Sequence, residues 1–268
     1  MAFLSLPAQQ AQPDGWLKRC WRTLATAFSF LVFGLGSLDL AFLIFPLILL
    51  LTPCGQKRRQ FMQRVISVHF RAFLKMMQWL GIMKLRLENI ELLTHEKGSL
   101  IIANHPTLID VVVIMAYLPQ VDCVVKEGLW HNPFLKGVVS AAGYISNSSD
   151  PAVLIQRCCA SLEQGRNLII FPEGTRTTPG KPPRFQRGVA RVALQAKCPI
   201  RLIHLDCAPA TLSKSHKWYQ VPERPFVFSL HVGEQLDTEQ WQQHHMVSAI
   251  GSRRLTRFLE SQFNKETL

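Results

Sequence analysis

The chain has 268 residues, 48% of them apolar and 18% charged, which is enough for one α/β domain of ordinary size with a short appendage and too apolar for a disordered chain. Lysine and arginine total 30 against 18 aspartate and glutamate, a formal charge of +12. Residues 1 to 80 hold nine basic and two acidic side chains, the other 188 hold 21 and 16. Because the bias concentrates around the most apolar stretch, it points to a membrane surface as partner and not to nucleic acid.

Ala25 to Leu51 is that apolar stretch. It is longer than a secretory hydrophobic region and no small-residue cleavage site follows it, so the expectation is a retained segment, not a removable signal. Gly34, Gly36, Ser37 and Asp39 interrupt its middle, and basic residues flank both ends: Lys18, Arg19 and Arg22 before it, Lys57, Arg58, Arg59 and Arg64 after it. An unpaired aspartate at mid-bilayer is costly, and positive residues stay on the cytoplasmic side. Both features favour a helix–turn–helix hairpin, turning near Gly34 to Asp39 and dipping into one leaflet, over a single tilted span. Gln56 to Leu80 continues with Phe61, Val65, Phe73, Met76, Met77 and Leu80 interrupted by Arg58, Arg64, Arg71 and Lys75. That pattern suits a basic amphipathic helix at headgroup level, or equally a surface helix of the main domain. The expected division is a membrane anchor with its basic helix at 1–80 and a catalytic domain at 81–268. The expected location is a membrane, at its cytoplasmic face (the inner membrane, if bacterial).

After Gly81, short β-branched runs alternate with helical ones. Met83 to Leu87, Leu100 to Ala103, Val121 to Val125, Asn167 to Phe171, Ile200 to Leu205 and Phe226 to Val232 read as strands. Asp150-Pro151 opens a helix that Gly165 ends, Gly188 to Lys197 is a second, and Thr238 to Phe263 a long C-terminal one. The fold class is therefore α/β, a mostly parallel sheet flanked by helices, with the N-terminal membrane-embedded hairpin attached. Seven cysteines form an odd set with no CxxC pair, which argues for reduced, buried thiols in a cytosol-facing protein and against a disulfide framework or a zinc site. His244 and His245 lack a spaced third ligand, so they read as a polar helix face, and no metal is expected. Trp218 and Tyr219, near Lys214 and Lys217, fit a second interfacial contact or a plain surface loop.

Two segments carry chemistry. In Asn104-His105-Pro106-Thr107-Leu108-Ile109-Asp110 the proline keeps His105 out of helical angles and suits the first turn of the helix that follows. Five apart on one helix, the two side chains would diverge; with the histidine outside it, His105 and Asp110 can meet. A carboxylate on one imidazole nitrogen fixes the tautomer and leaves the other free to take a proton, as a general base for an alcohol requires. A capping histidine beside an ordinary aspartate has the same spacing. The second segment is Phe171-Pro172-Glu173-Gly174-Thr175-Arg176 at a strand end, followed by Lys181, Arg184, Arg187 and Arg191, a basic run suited to phosphate groups or to solvent.

Together, NHxxxxD and FPEGTR about 60 residues later resemble the lysophospholipid acyltransferase family, typified by 1-acylglycerol-3-phosphate acyltransferase, over Ser99 to Pro209. The resemblance implies that His105, oriented by Asp110, deprotonates the acceptor hydroxyl, which attacks the thioester of acyl-CoA or acyl-ACP. It implies that Glu173, Gly174, Thr175 and Arg176 bind the acceptor lipid, that the thioester is a co-substrate with no further cofactor, and that a two-helix anchor precedes the domain. Two positions depart from the family. Asn147 stands where an arginine usually grips the acceptor phosphate, so the acceptor lacks a phosphomonoester or is held by Arg176 and Arg187. Cys198-Pro199-Ile200-Arg201-Leu202 replaces a Val-Pro-Val-like strand. Other classes compatible with the composition are a membrane-bound thioesterase or lipase, for which no GxSxG is present, and a non-enzymatic lipid-binding protein, which would not need both motifs.

Overall fold

A computed structural model describes residues 15–53, 55–132, 135–147, 150–178, 181–214, 216–242 and 249–265. The described residues open with α1 (Trp16–Asp39), which widens into a π turn (Leu40–Ile44) and continues as α2 (Phe45–Leu51). The turn expected at Gly34 to Asp39 does not form. Two glycines cost a helix only about 1 kcal/mol each relative to alanine, and packing outweighs this: Leu40, Phe45 and Ile48 bury against Met62 and Ile66 of α3 (Gln56–Trp79). The π turn falls just ahead of Pro46, whose ring and missing N–H disfavour a regular α turn.

The chain instead reverses between Thr52 and Gln56. α3 runs back antiparallel to the first helix, with Phe33 against Phe70 and Phe73, and the Asp39 carboxylate 3.9 Å from His69 Nε2. The helical hairpin is therefore α1–α2 with α3. Its long arm, Trp16–Leu51, is long and apolar enough to cross a membrane by length and composition. Leu17, Leu24, Leu31, Leu35, Leu43 and Leu50 are all more than half exposed along it.

The rest alternates strand and helix: β1 (Met83–Glu88), a 3-10 turn (Ile90–His95), β2 (Leu100–Ala103), α4 (Asp110–Tyr117), β3 (Val121–Lys126), α5 (Gly128–His131), α6 (Lys136–Ala141), β4 (Ile145–Asn147), α7 (Pro151–Glu163), β5 (Asn167–Ile170), α8 (Arg187–Ala196), β6 (Ile200–Ala208), β7 (Phe226–Leu236), α9 (Glu239–Gln242) and α10 (Ala249–Lys265). The seven strands form one sheet in the order β1-β7-β6-β2-β5-β3-β4, parallel at every pairing except β6 with β7. The C-terminal helix expected over Thr238 to Phe263 appears as α9 and α10, and His244 and His245 between them lie outside the described residues.

Strand periodicity divides the core. Ile101 and Ala103 of β2 face a cluster with Ala25 of α1, Leu74 and Met77 of α3 and most of α4, while Leu100 and Ile102 face Leu162 of α7, Val189 and Val192 of α8 and Leu255 and Leu259 of α10. The apolar N-terminal helix thus covers one face of the sheet and α8 with α10 the other. Of the described cysteines only Cys20 is exposed. Burial pushes the Cys123, Cys158 and Cys207 thiols up to about 12, which leaves them protonated and poor nucleophiles.

One buried carboxylate joins the returning arm, α3, to the sheet. Asp122, fully buried, accepts from Arg59 (2.8 Å) and Gln63 (3.0 Å) of α3, from Ser161 Oγ of α7 (2.5 Å) and from Arg166 Nε (2.9 Å). Removing one partner of such a pair strands the others. Asp122→Ala should lower stability by about 3–5 kcal/mol, read as a large fall in Tm by tryptophan fluorescence in detergent; a Tm within the error of the parent would show that α3 is held by apolar packing alone.

Candidate active site

β2 and β5 are adjacent and parallel, so the segments following them emerge side by side at the carboxyl end of the sheet, where α/β sheets bind ligands. Asn104 leaves β2 by clasping β6: its Nδ2 donates to the Leu205 carbonyl (2.7 Å) and its Oδ1 accepts from the Leu205 N–H (2.8 Å). His105 follows outside any helix, and Asp110 is the first residue of α4.

The two meet at 2.7 Å, Nδ1 to Oδ2. Asp110 is fully buried, whereas the His105 side chain retains 21% of its exposure. Thr107 supplies the remaining donors, its N–H to Oδ2 (2.9 Å) and its hydroxyl to Oδ1 (2.5 Å). Burial raises the Asp110 carboxyl above the ordinary carboxylate value, and the hydrogen bonds from His105 and Thr107 oppose that rise. The donor set is the one that an ionised carboxylate accepts. Nδ1 therefore carries the proton in the neutral ring, and Nε2 is the basic nitrogen, with no hydrogen-bond partner among the described residues.

The loop after β5 fixes the histidine from the other side. Glu173 Oε1 accepts from the His105 N–H (3.2 Å) and from the Thr177 hydroxyl (2.5 Å). Thr177 Oγ1 accepts from the His105 N–H (3.1 Å), and the Thr177 N–H donates to the His105 carbonyl (2.7 Å). The Phe171 ring stacks on the imidazole at 4.3 Å. Gly174 turns this loop at a φ of 67°, a conformation that L side chains rarely adopt, and it is this backbone angle that calls for glycine. Arg176 Nη1 donates to the carbonyls of Leu212 (2.8 Å) and Ser213 (3.0 Å). Thr175 is half-buried beside it, and Arg187 stands exposed at the first position of α8. Asn147 ends the short strand β4 and is exposed.

Comparison with known proteins bears on this arrangement. The sequence model of the Acyltransferase family matches residues 84–203, which span both segments. Residues 84–203 are thus similar to an acyltransferase domain. The chain is 28% identical over 176 residues to 1-acyl-sn-glycerol-3-phosphate acyltransferase of Cocos nucifera, covering 61% of this chain and 55% of that one. Against the enzyme of the same name from Limnanthes douglasii it is 32% identical over 128 residues, 45% and 43%. The chain thus spans about half the length of these curated relatives. The crystal structure of the 1-acyl-sn-glycerophosphate acyltransferase PlsC from Thermotoga maritima shares the fold, with a TM-score of 0.68 at 17% identity over 92% of this chain and 94% of that one.

Thr107, which holds Asp110, and Thr177 and Phe171, which hold His105, do as much to set the pair as the residues singled out from sequence. Thr107 could have been found, since a hydroxyl three residues before a helix-starting aspartate is a recurrent local hydrogen-bond pattern. Thr177 lies one residue beyond the recognisable motif, and its partner is 72 residues away.

Glu173 acts here through one oxygen, which glutamine can replace. Burial raises the Glu173 carboxyl, with the Thr177 and His105 hydrogen bonds opposing. With the folded value above the unfolded one, the native state holds its proton longer. The carboxyl's contribution to stability therefore falls as pH rises from about 4.3, the unfolded value, through the raised native value. Glu173→Gln should then match or exceed the parent Tm at neutral pH, and its advantage should shrink as pH falls from the raised native value to about 4.3 and be absent below it; a Tm difference that stays flat with pH would contradict the buried-charge account.

Proposed function

We propose that this chain is a membrane-associated O-acyltransferase that moves a fatty acyl group from the thioester of acyl-CoA or acyl-ACP to the hydroxyl of a lysophospholipid or related lyso-lipid. The observation that carries this reading is the 2.7 Å contact between His105 Nδ1 and the buried Asp110, with Nε2 left open at the carboxyl end of the sheet. The family match and the names of the relatives support the reaction class.

In this mechanism Nε2 takes the proton of the acceptor hydroxyl as its oxygen attacks the thioester carbonyl. The ester C–O bond forms, the C–S bond breaks, and the departing thiolate recovers the proton from the imidazolium. Asp110 holds the ring in the right tautomer and stabilises the transient cation. A base so positioned contributes about 10² to 10⁴ in rate, which suffices because the thioester is already activated.

The acceptor reaches the site from the lipid phase. The exposed apolar flank of α1 is continuous with Trp218, whose ring centroid is 6.3 Å from that of Phe30, and with half-exposed Tyr219. Arg22 Nη2 donates to the Glu223 carbonyl (2.7 Å) at one end of this loop, and Arg176 holds Leu212 and Ser213 at the other. The loop therefore bridges the apolar helix and the FPEGTR segment, and we assign the acceptor's path to it.

His105→Ala should lower acyl transfer by at least about 10² while leaving sedimentation with vesicles unchanged; turnover at the parental rate would remove the general-base assignment. Arg176→Ala should raise the acceptor KM by several-fold, with a smaller effect on the thioester KM, when initial rates are measured against each substrate in turn. An unchanged acceptor KM would place the headgroup elsewhere.

A further inference from the structure

At the junction of α3 and the sheet, Arg59 and Arg166 share the carboxylate of Asp122, and a cavity of about 430 Å³ opens beside them. That volume falls within the roughly 300–1,000 Å³ of small-molecule sites. Arg59, Arg157, Arg166, Trp130 and Ser146 line it, and among the described residues no carboxylate does. Arg59 reaches from α3 onto the Ala142 carbonyl (3.0 Å) and the Gly143 carbonyl, and Arg166 Nη1 donates to Gln164. Arg157 is exposed on α7, and its side chain has no partner among the described residues. The indole N–H of Trp130 is buried and likewise has no acceptor among them.

The cavity therefore holds donors in excess of acceptors. Three guanidinium groups bring three positive charges and Asp122 returns one negative charge, which leaves two unmatched. Burial lowers the Arg59 guanidinium from its ordinary value, with Asp122 opposing that fall and Arg166 adding to it. An anion in the cavity would act on Arg59 as Asp122 does. Guanidinium groups lining one space suit the oxygens of a phosphate group, which accept several charged donors at once.

The cavity lies apart from His105. Asp122 is level with Leu168, and Leu168 with Leu100, the first residue of β2, whereas His105 lies beyond the last. β4, whose residues 145 and 146 line the cavity, is the third strand from β2, about 14 Å away at the usual strand spacing. The helical hairpin is nearer. Arg59 is on the first turn of α3, shortly after the exposed Leu49, Leu50 and Leu51 of α2, and Gly137 of α6 lies so close to Ala41 that a Cβ would strike it. That position offers the cavity to a lipid headgroup beside α2 as well as to a soluble phosphate.

We propose that this cavity binds a phosphate ester away from the site of acyl transfer, with Arg157 supplying one cation and Arg59 and Arg166, anchored by Asp122, two more. Because Arg59, Asp122 and Arg166 also join α3 to the sheet, the bound anion stabilises that junction.

The test uses the full chain in micelles of an uncharged detergent and three probes: dihexanoyl phosphatidylglycerol, dihexanoyl phosphatidylcholine as the zwitterionic control, and inorganic phosphate. By calorimetric titration, an anionic probe should bind the parent with a Kd that rises about tenfold or more in Arg157→Glu, and it should raise the parent Tm. Arg157→Gln should show a smaller loss, and Arg176→Ala none. Arg157 is exposed, so both of its variants should keep the parental circular dichroism spectrum. Tighter binding of phosphatidylglycerol than of inorganic phosphate supports a headgroup as the source, and the reverse supports a soluble phosphate. Failure of both anions to bind the parent would overturn the proposal. So would equal affinity in parent and Arg157→Glu, or phosphatidylcholine binding as tightly as phosphatidylglycerol. A several-fold rise in the acceptor KM of Arg157→Glu would also overturn it, by making the cavity part of the transfer site.

Discussion

A charge with no access to water has to be met by donors, and Asp110 is the point where this requirement organises the molecule. Its carboxylate sits at the start of α4, where the helix dipole favours an anion, and accepts from the Thr107 N–H, the Thr107 hydroxyl and the His105 ring. The chain can present all three only if it leaves β2, turns at Pro106 and enters the helix within a few residues. The same contacts that settle the buried charge therefore orient the imidazole. Ring nitrogen, ring face and main chain of His105 are each fixed by a different neighbour, Asp110, Phe171 and the Glu173–Thr177 pair. The imidazole is thus held in one orientation, as the proposed proton transfer requires.

The second consequence concerns what surrounds that centre. α4, whose first residue is Asp110, is held at its far end by α3: Ser67 Oγ and Arg71 Nε both donate to the Ala116 carbonyl, satisfying a terminal group of the helix. α3 in turn is the returning arm of the hairpin. The apolar helix, the returning arm, the helix that carries the carboxylate and the histidine form one continuous packed path. Arg22 and Arg176 make a second connection through the loop around Trp218. The apolar helix and the alignment of the site therefore share one framework.

How much of this the sequence discloses depends on how local each determinant is. Strands β2, β3 and β5 follow from β-branched runs ended by turn residues, and α7 from Asp150 capping a helix that begins with proline. The meeting of His105 and Asp110 is readable because Pro106 decides it within six residues. The reversal near Gly34 to Asp39 was the natural local reading, but burial of Leu40, Phe45 and Ile48 against α3 outweighs the glycines, and the reversal falls beyond Thr52. β4 has three residues, too few for a period to show. Arg22 reads as a flanking charge in sequence, yet it is buried and bonds a carbonyl 201 residues away, which no local pattern encodes.

The excess of positive charge is the clearest case of one number hiding several causes. Counted along the chain, it gathers around the apolar stretch and suggests headgroups. In three dimensions Arg59 sits against the buried Asp122, Arg71 closes the end of α4, and Arg22 and Arg176 pin the two ends of one loop. These arginines hold the framework together. What then stays unpaired on α8 and α10 stands out, because it lies across the sheet from the apolar face and begins at the rim of the site. The sheet thus has an oily helix on one face, arginines on the other and the His105 imidazole at the edge between them, the arrangement that the proposed transfer between a lipid alcohol and a thioester would use.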